Sequence, residues 1–111
     1  MNQVTVQTVR AIVRKHGIDY DKLTIGAKQV LYSRVVQQQR GLDKVLSRAC
    51  GTQCGQLNSE ALINKIYDEI KKNKDIYFGN FKRKNKHDFD NLFKPNGRME
   101  IERKLGISNK E

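Results

Sequence analysis

Seven cations and three aromatic side chains share the sixteen residues KKNKDIYFGNFKRKNK, from Lys71 to Lys86. The cations are Lys71, Lys72, Lys74, Lys82, Arg83, Lys84 and Lys86, and Asp75 is the one acid among them, a net charge of +6 in the segment. Basic head groups neutralise phosphates and release their counterions, while aromatic faces stack on unpaired bases. Tyr77, Phe78 and Phe81 are also what a small core needs. The expectation is that the rings pack inward and the cations meet a phosphate backbone, which makes the segment a clamp rather than a stacking platform.

A second group is RACGTQCGQLNSE at residues 48–60, which holds both cysteines of the chain. Structural zinc sites pair cysteines at C-x2–4-C and need four ligands. Beyond Cys50 and Cys54 only His16 and His87 remain as soft partners, far apart in sequence, and there is no second cluster. A disulfide across three residues is feasible in a loop, but disulfides belong to oxidising compartments. A redox pair is more often C-x-x-C. The expectation is therefore two small buried thiols at a helix end, with no metal and no other cofactor.

A third group, HDFDNLFK at 87–94, resembles the D-x-D-N-L-x-K signature of RusA-type Holliday-junction resolvases. That resemblance covers seven residues. It implies Asp88 and Asp90 as magnesium ligands and Lys94 as the group that assists phosphodiester cleavage. The family's further downstream aspartate has no counterpart, because no Asp follows Asp90. Pro95 and Gly97 also interrupt the helix into which that signature runs. Glu102-Arg103-Lys104 has an E-x-K form, but it lies in a segment read as helix. The residues alone read otherwise, with Asp88 capping a short helix and Asp90 in its first turn.

The elements that hold these groups read as helices. Val6, Val9 and Val13, with Ile12 beside them, share a stripe that Gly17 ends. Thr24 is placed to cap a second helix, with Ile25, Leu31 and Val35 on its inner side. A break is expected over residues 37–41, after which Leu42, Val45, Leu46 and Ala49 resume a stripe. Asn58 or Ser59 caps the clearest helix, whose face is Leu62, Ile63, Ile66, Tyr67 and Ile70. Beyond it, Ile76-Tyr77-Phe78 and Phe81-Lys82-Arg83 around Gly79-Asn80 read either as a short basic β-hairpin near residues 76–83 or as a loop. A short helix stops at Pro95 and a last one spans Arg98–Leu105. IERKLGI at 101–107 echoes IVRKHGI at 12–18, so Gly106 is expected to end its helix as Gly17 does. Ser108 then stands where a further helix would be capped, which suggests the N-terminal domain of a longer protein.

One further segment has the outline of a DNA-binding pattern. VRAIVRKHGIDYDKLTIGAKQV has a helix-turn-helix-like layout with Gly17 at the turn, although Val13 and Gly26 depart from it. On that layout Lys22, Thr24, Lys28 and Gln29 face the groove, with Arg10 and Arg14 on flanking phosphates.

Length and charge bound the rest. The 111 residues make one domain, residues 1–111, of 22 Lys and Arg against 12 Asp and Glu, a net charge of +10. The mean hydropathy is −0.75. No run approaches the roughly 20 apolar residues of a membrane span, and the first residues lack the basic and apolar stretches of a signal peptide. The sequence thus predicts a mostly α-helical bundle of five or six helices. Its expected role is non-enzymatic binding of nucleic acid, DNA rather than RNA and duplex rather than single-stranded, in the cytoplasm and in a regulatory or replication role. Arg98 and Arg103, with Arg10 and Arg14, extend the expected patch, and a second copy of the chain is a candidate partner. The rival readings are a protein-binding adaptor or inhibitor that uses the basic face, and a magnesium nuclease built on Asp88, Asp90 and Lys94.

Overall fold

Local hydrogen bonding accounts for nearly the whole backbone of this chain. The computed structural model describes residues 5–37 and 39–110, with the side chains of all of these but Gln39 and Arg40. Among the described residues there are eight α-helices and no strand. The helices are α1 (Val6–Arg14), α2 (Ile25–Gln37), α3 (Gln39–Ala49), α4 (Ser59–Lys72), α5 (Lys74–Tyr77), α6 (Gly79–Lys84), α7 (Lys86–Phe93) and α8 (Arg98–Ser108). Two 3-10 turns, Tyr20–Lys22 and Gly51–Gln56, fill the longer connections. The break expected over 37–41 falls on Gln38, outside the described residues, between the end of α2 and the start of α3.

Caps and apolar stripes explain most boundaries. Thr5 caps α1 through its hydroxyl, which accepts from the Thr8 amide at 3.3 Å. Gly17, at φ 76°, ends that helix in the left-handed region, and the Ile18 amide reaches back to the Val13 carbonyl at 3.1 Å. Thr24 accepts from the Ala27 amide at 3.1 Å at the head of α2, and Asn58, not Ser59, caps α4 by accepting from Ala61 at 2.8 Å. The predicted face of α4 is buried throughout and packs against α3 and α8. Full burial of each of its aliphatic side chains contributes about 1.5–3 kcal/mol.

Helix α2 lies against α1, α3, α4 and α8. Its buried positions are Gly26, Ala27, Val30, Leu31, Arg34 and Val35. Ile25, expected inside, is 43% exposed. It opens the helix two positions before Ala27, about 200° around from it and so off the buried stripe, and at the crossing of α2 with α8 two glycines take the inner place. A Cβ on Gly26 would overlap the Gly106 carbonyl oxygen and stand 2.7 Å from that of Asn109, and one on Gly106 would stand 2.5 Å from the Val30 side chain. The Gly26 amide donates to the Asn109 carbonyl at 3.0 Å. Gly106 therefore does not end its helix. The second copy of the glycine motif runs on to Ser108, because its glycine is spent on close approach to α2 rather than on a left-handed turn.

Three further expectations are corrected. Residues 76–83 form parts of α5 and α6, not a hairpin. Three-residue arms with no third strand leave most of their backbone groups unpaired, whereas the helical turns place the Lys82 amide 2.9 Å from the Phe78 carbonyl and that of Asn85 2.8 Å from Phe81. This splitting of 74–93 into three short helices also raises the count above six. The cap of α7 is Asn85, which accepts from the Asp88 amide at 3.1 Å, so Asp88 sits in the first turn. The helix-turn-helix-like layout does not form, since ten residues with a 3-10 turn separate α1 from α2 where that motif has three or four.

The cysteines are not two thiols. Cys50 and Cys54 are joined as a disulfide, with Cα atoms 5.0 Å apart, at the edge of the 3-10 turn after α3. That turn folds the chain back sharply enough to bring side chains four residues apart into bonding range. A crosslink that closes so small a loop removes little chain entropy, about 2 kcal/mol. Cys50→Ser with Cys54→Ser should therefore lower unfolding stability by about 2 kcal/mol in urea melts, and reductant should do the same to the wild type. A wild type insensitive to reductant would remove the crosslink from the account.

Candidate nucleic-acid interface

The four phenylalanines of the chain meet in one place. Phe78 lies edge-on to Phe81 (centroids 6.5 Å apart) and to Phe93 (5.3 Å), and Phe93 is 5.1 Å from Phe89. Spacings of three and four residues on α6 and α7 put these rings on facing sides of the two helices. Phe89 is buried, while Phe78 and Phe93 are half-buried against the main core. Tyr77 donates from its hydroxyl to Glu69 at 2.8 Å, and burial first and that carboxylate second push its phenol pKa up. Tyr77 and Phe78 thus pack inward as expected, whereas Phe81 stays exposed, edge-on to Phe78 at the rim of the cluster.

Two of the seven cations are drawn into this cluster. The Lys74 ammonium stands 5.7 Å from the centroids of both Phe89 and Phe93, and Lys82 stands 5.4 Å from Phe89. Such cation–π contacts contribute about 0.5–1 kcal/mol at exposed sites. Lys82 also pairs with Asp75 at 3.0 Å. The other five, Lys71 and Lys72 in the last turn of α4, Arg83 and Lys84 on α6, and Lys86 opening α7, are exposed. Arg83 donates to the Asn80 side chain. Among the described residues, none of these five is in a salt bridge with a carboxylate.

The remaining predicted residues divide. Arg98, at the head of α8, is exposed and lines the same groove as Arg83, with its Nε 3.1 Å from Glu102. Arg103 is drawn inward, donating to Glu100 at 2.5 Å and to the Asn64 side chain at 2.9 Å, and its guanidinium holds the Glu100 carboxyl below the usual carboxylate range. That leaves Arg103 a structural partner rather than part of an open patch. Arg10 grips Asp21 in a two-point pair at 2.6 and 2.7 Å, which lowers the Asp21 carboxyl, and stacks 4.9 Å from the Tyr20 ring. Arg14 shares that hollow beside Tyr20. Helix α1 packs on α2, α3 and the first 3-10 turn, while α6 packs on α5 and α7. The first helix and the basic segment therefore belong to different parts of the bundle. Lys28 also turns toward Tyr20, 5.5 Å from its centroid.

Asp88 and Asp90 are both exposed on α7, two positions apart, so their side chains diverge by about 200° around the helix. Lys94 caps the far end of that helix. Among the described residues no three His, Cys, Asp or Glu side chains are grouped to hold a metal ion, and no helix is long and apolar enough to cross a membrane.

Two buried polar groups escaped the sequence reading. Arg34, 1% exposed, donates to Glu102 at 2.8 Å and to Gln37 at 2.7 Å, and the Tyr67 hydroxyl donates to the same Glu102 oxygen at 3.2 Å. His16 is buried with Nε2 2.7 Å from Asp43 and Nδ1 3.1 Å from the Gly51 carbonyl, which ties the end of α1 to α3 and to the disulfide turn. The available signal was position: Arg34 falls on the apolar stripe of α2, and a charge there calls for a buried partner. No protein-family model matches this chain, and no curated protein or solved structure matches it.

Proposed function

We propose that this protein binds nucleic acid without acting on it chemically, holding duplex DNA by its phosphates through the surface from the end of α4 to the start of α7. One observation carries the reading: Lys71, Lys72, Arg83, Lys84 and Lys86 are exposed within sixteen residues of sequence, and among the described residues none of them is in a salt bridge. A cluster of this kind raises the local concentration of a polyanion and releases its counterions on contact. Packing of Phe78, Phe89 and Phe93 gives the cations a fixed platform. A regulatory or replication role in the cytoplasm, with no metal or other cofactor, belongs to the same proposal.

Fluorescence anisotropy with labelled duplex DNA across a salt series tests it. Five contacts at about 0.9 each set the slope of log K against log salt near −4.5. The triple variant Arg83→Ala, Lys84→Ala, Lys86→Ala should flatten that slope by about 2.7 and weaken binding across sequences, with the fold intact because exposed basic side chains contribute little stability. An unchanged slope would refute the clamp. Magnesium-dependent cleavage on a gel would move the function to Asp88 and Asp90, and absence of binding at low salt would move it to an acidic protein partner.

A further inference from the structure

The clamp surface borders a groove whose floor is apolar and whose rims are cationic. Its volume is about 640 Å³, within the usual range of small-ligand sites. Ile76, Phe78, Phe81 and Leu92 line it together with Arg83 and Arg98. Ile76 is 49% exposed and Phe81 37% exposed there, so two large apolar side chains face water beside two guanidinium groups. Among the described lining residues the one carboxylate, Asp75, is paired with Lys82, while Arg98 is paired through its Nε with Glu102 just outside the lining. The occupant must therefore bring a flat or apolar face and negative charge together.

We infer that this groove takes an unpaired nucleobase next to a duplex, with the base against Phe81 and its flanking phosphates on Arg83 and Arg98. The inference rests on the proposed DNA-binding reading and refines its substrate to duplex DNA carrying a single-stranded overhang. Charge complementarity and continuity select this occupant over an acidic peptide: Arg83 belongs both to the groove rim and to the clamp, so a strand held by Lys84 and Lys86 leads into the groove. A base inside an intact duplex has both faces stacked on neighbours and cannot offer one to a ring. Phe78, Phe89 and Phe93 are linked ring to ring and at least half-buried, whereas Phe81, edge-on to Phe78, keeps over a third of its surface exposed.

The test compares a blunt duplex with the same duplex bearing a short overhang that carries 2-aminopurine at its first unpaired position. The overhang should bind about tenfold more tightly, and its fluorescence should be quenched on binding, since base–aromatic stacking contributes on that scale. Phe81→Leu keeps the apolar floor and should abolish both the preference and the quenching, while affinity and salt slope for the blunt duplex stay as in wild type. Equal binding of the two duplexes without quenching overturns the inference and leaves the clamp standing. A preference that survives Phe81→Leu overturns it as well. Failure of the protein to bind either duplex removes the clamp reading and this inference with it.

Discussion

Replacing Glu102 by leucine should lower the stability of the protein by about 3–5 kcal/mol, because it strands a buried guanidinium. Arg34 is enclosed among α2 and α8, and its Nε has no hydrogen-bond partner among the described residues. Among the described residues its charge is met by one carboxylate, that of Glu102, backed by the neutral Gln37 and a 3.6 Å contact to the Met99 sulfur. Loss of Glu102 also leaves the Tyr67 hydroxyl without that acceptor and frees Arg98. The paired change Arg34→Met with Glu102→Leu should recover most of the loss, since an apolar replacement of a buried ion pair is often neutral or stabilising. Urea denaturation of the two single variants and the double variant closes the cycle. Additive losses would mean the two residues are not coupled.

Gly26→Ala should cost about 3 kcal/mol, or a fall in Tm of about 15 °C. The added methyl group meets backbone oxygens of Gly106 and Asn109, which cannot rotate away as a side chain would. Either α8 shifts off α2, which loosens the packing around Met99 and Ile63, or the Gly26–Asn109 hydrogen bond breaks. Gly79→Ala is the internal control. A Cβ at that position meets nothing within 4 Å, so its effect should stay within about 0.5 kcal/mol. Calorimetry on both variants distinguishes a steric crossing from a general intolerance of alanine.

The helical class, the face of α4, the cap at Thr24 and the turn at Gly17 were legible in the sequence because each depends on neighbours within four residues. What was not legible depends on partners distant in the chain. Gly17 and Gly106 sit in the same short motif, yet one ends a helix and the other is buried mid-helix, and only Gly26, eighty residues away, decides between them. Arg34 reads as a surface residue until Glu102 is brought to it. At the site, the charge of the segment 71–86 was visible, but the partition of its cations was not. Lys74 and Lys82 are taken by Phe89, Phe93 and Asp75, and Arg103 by Glu100, through contacts that composition does not encode. The pairing of Cys50 with Cys54 was misjudged because the reading leaned on compartment rather than on the sharpness of the turn between them.

Helices α5, α6 and α7 have four, six and eight residues, each shorter than a helix that persists alone in water. Their order rests on the phenylalanine cluster and on Phe78, Leu92 and Phe93 touching the bundle. The layer that carries the cations is therefore a module with its own opening equilibrium, less costly to disturb than the unit of α2, α4 and α8. Substitutions in it can change the charge and shape of that surface while the helices of the main core stay folded. The tightest geometric demand of the molecule thus falls on one glycine crossing, and its tolerance for substitution on three short helices outside it.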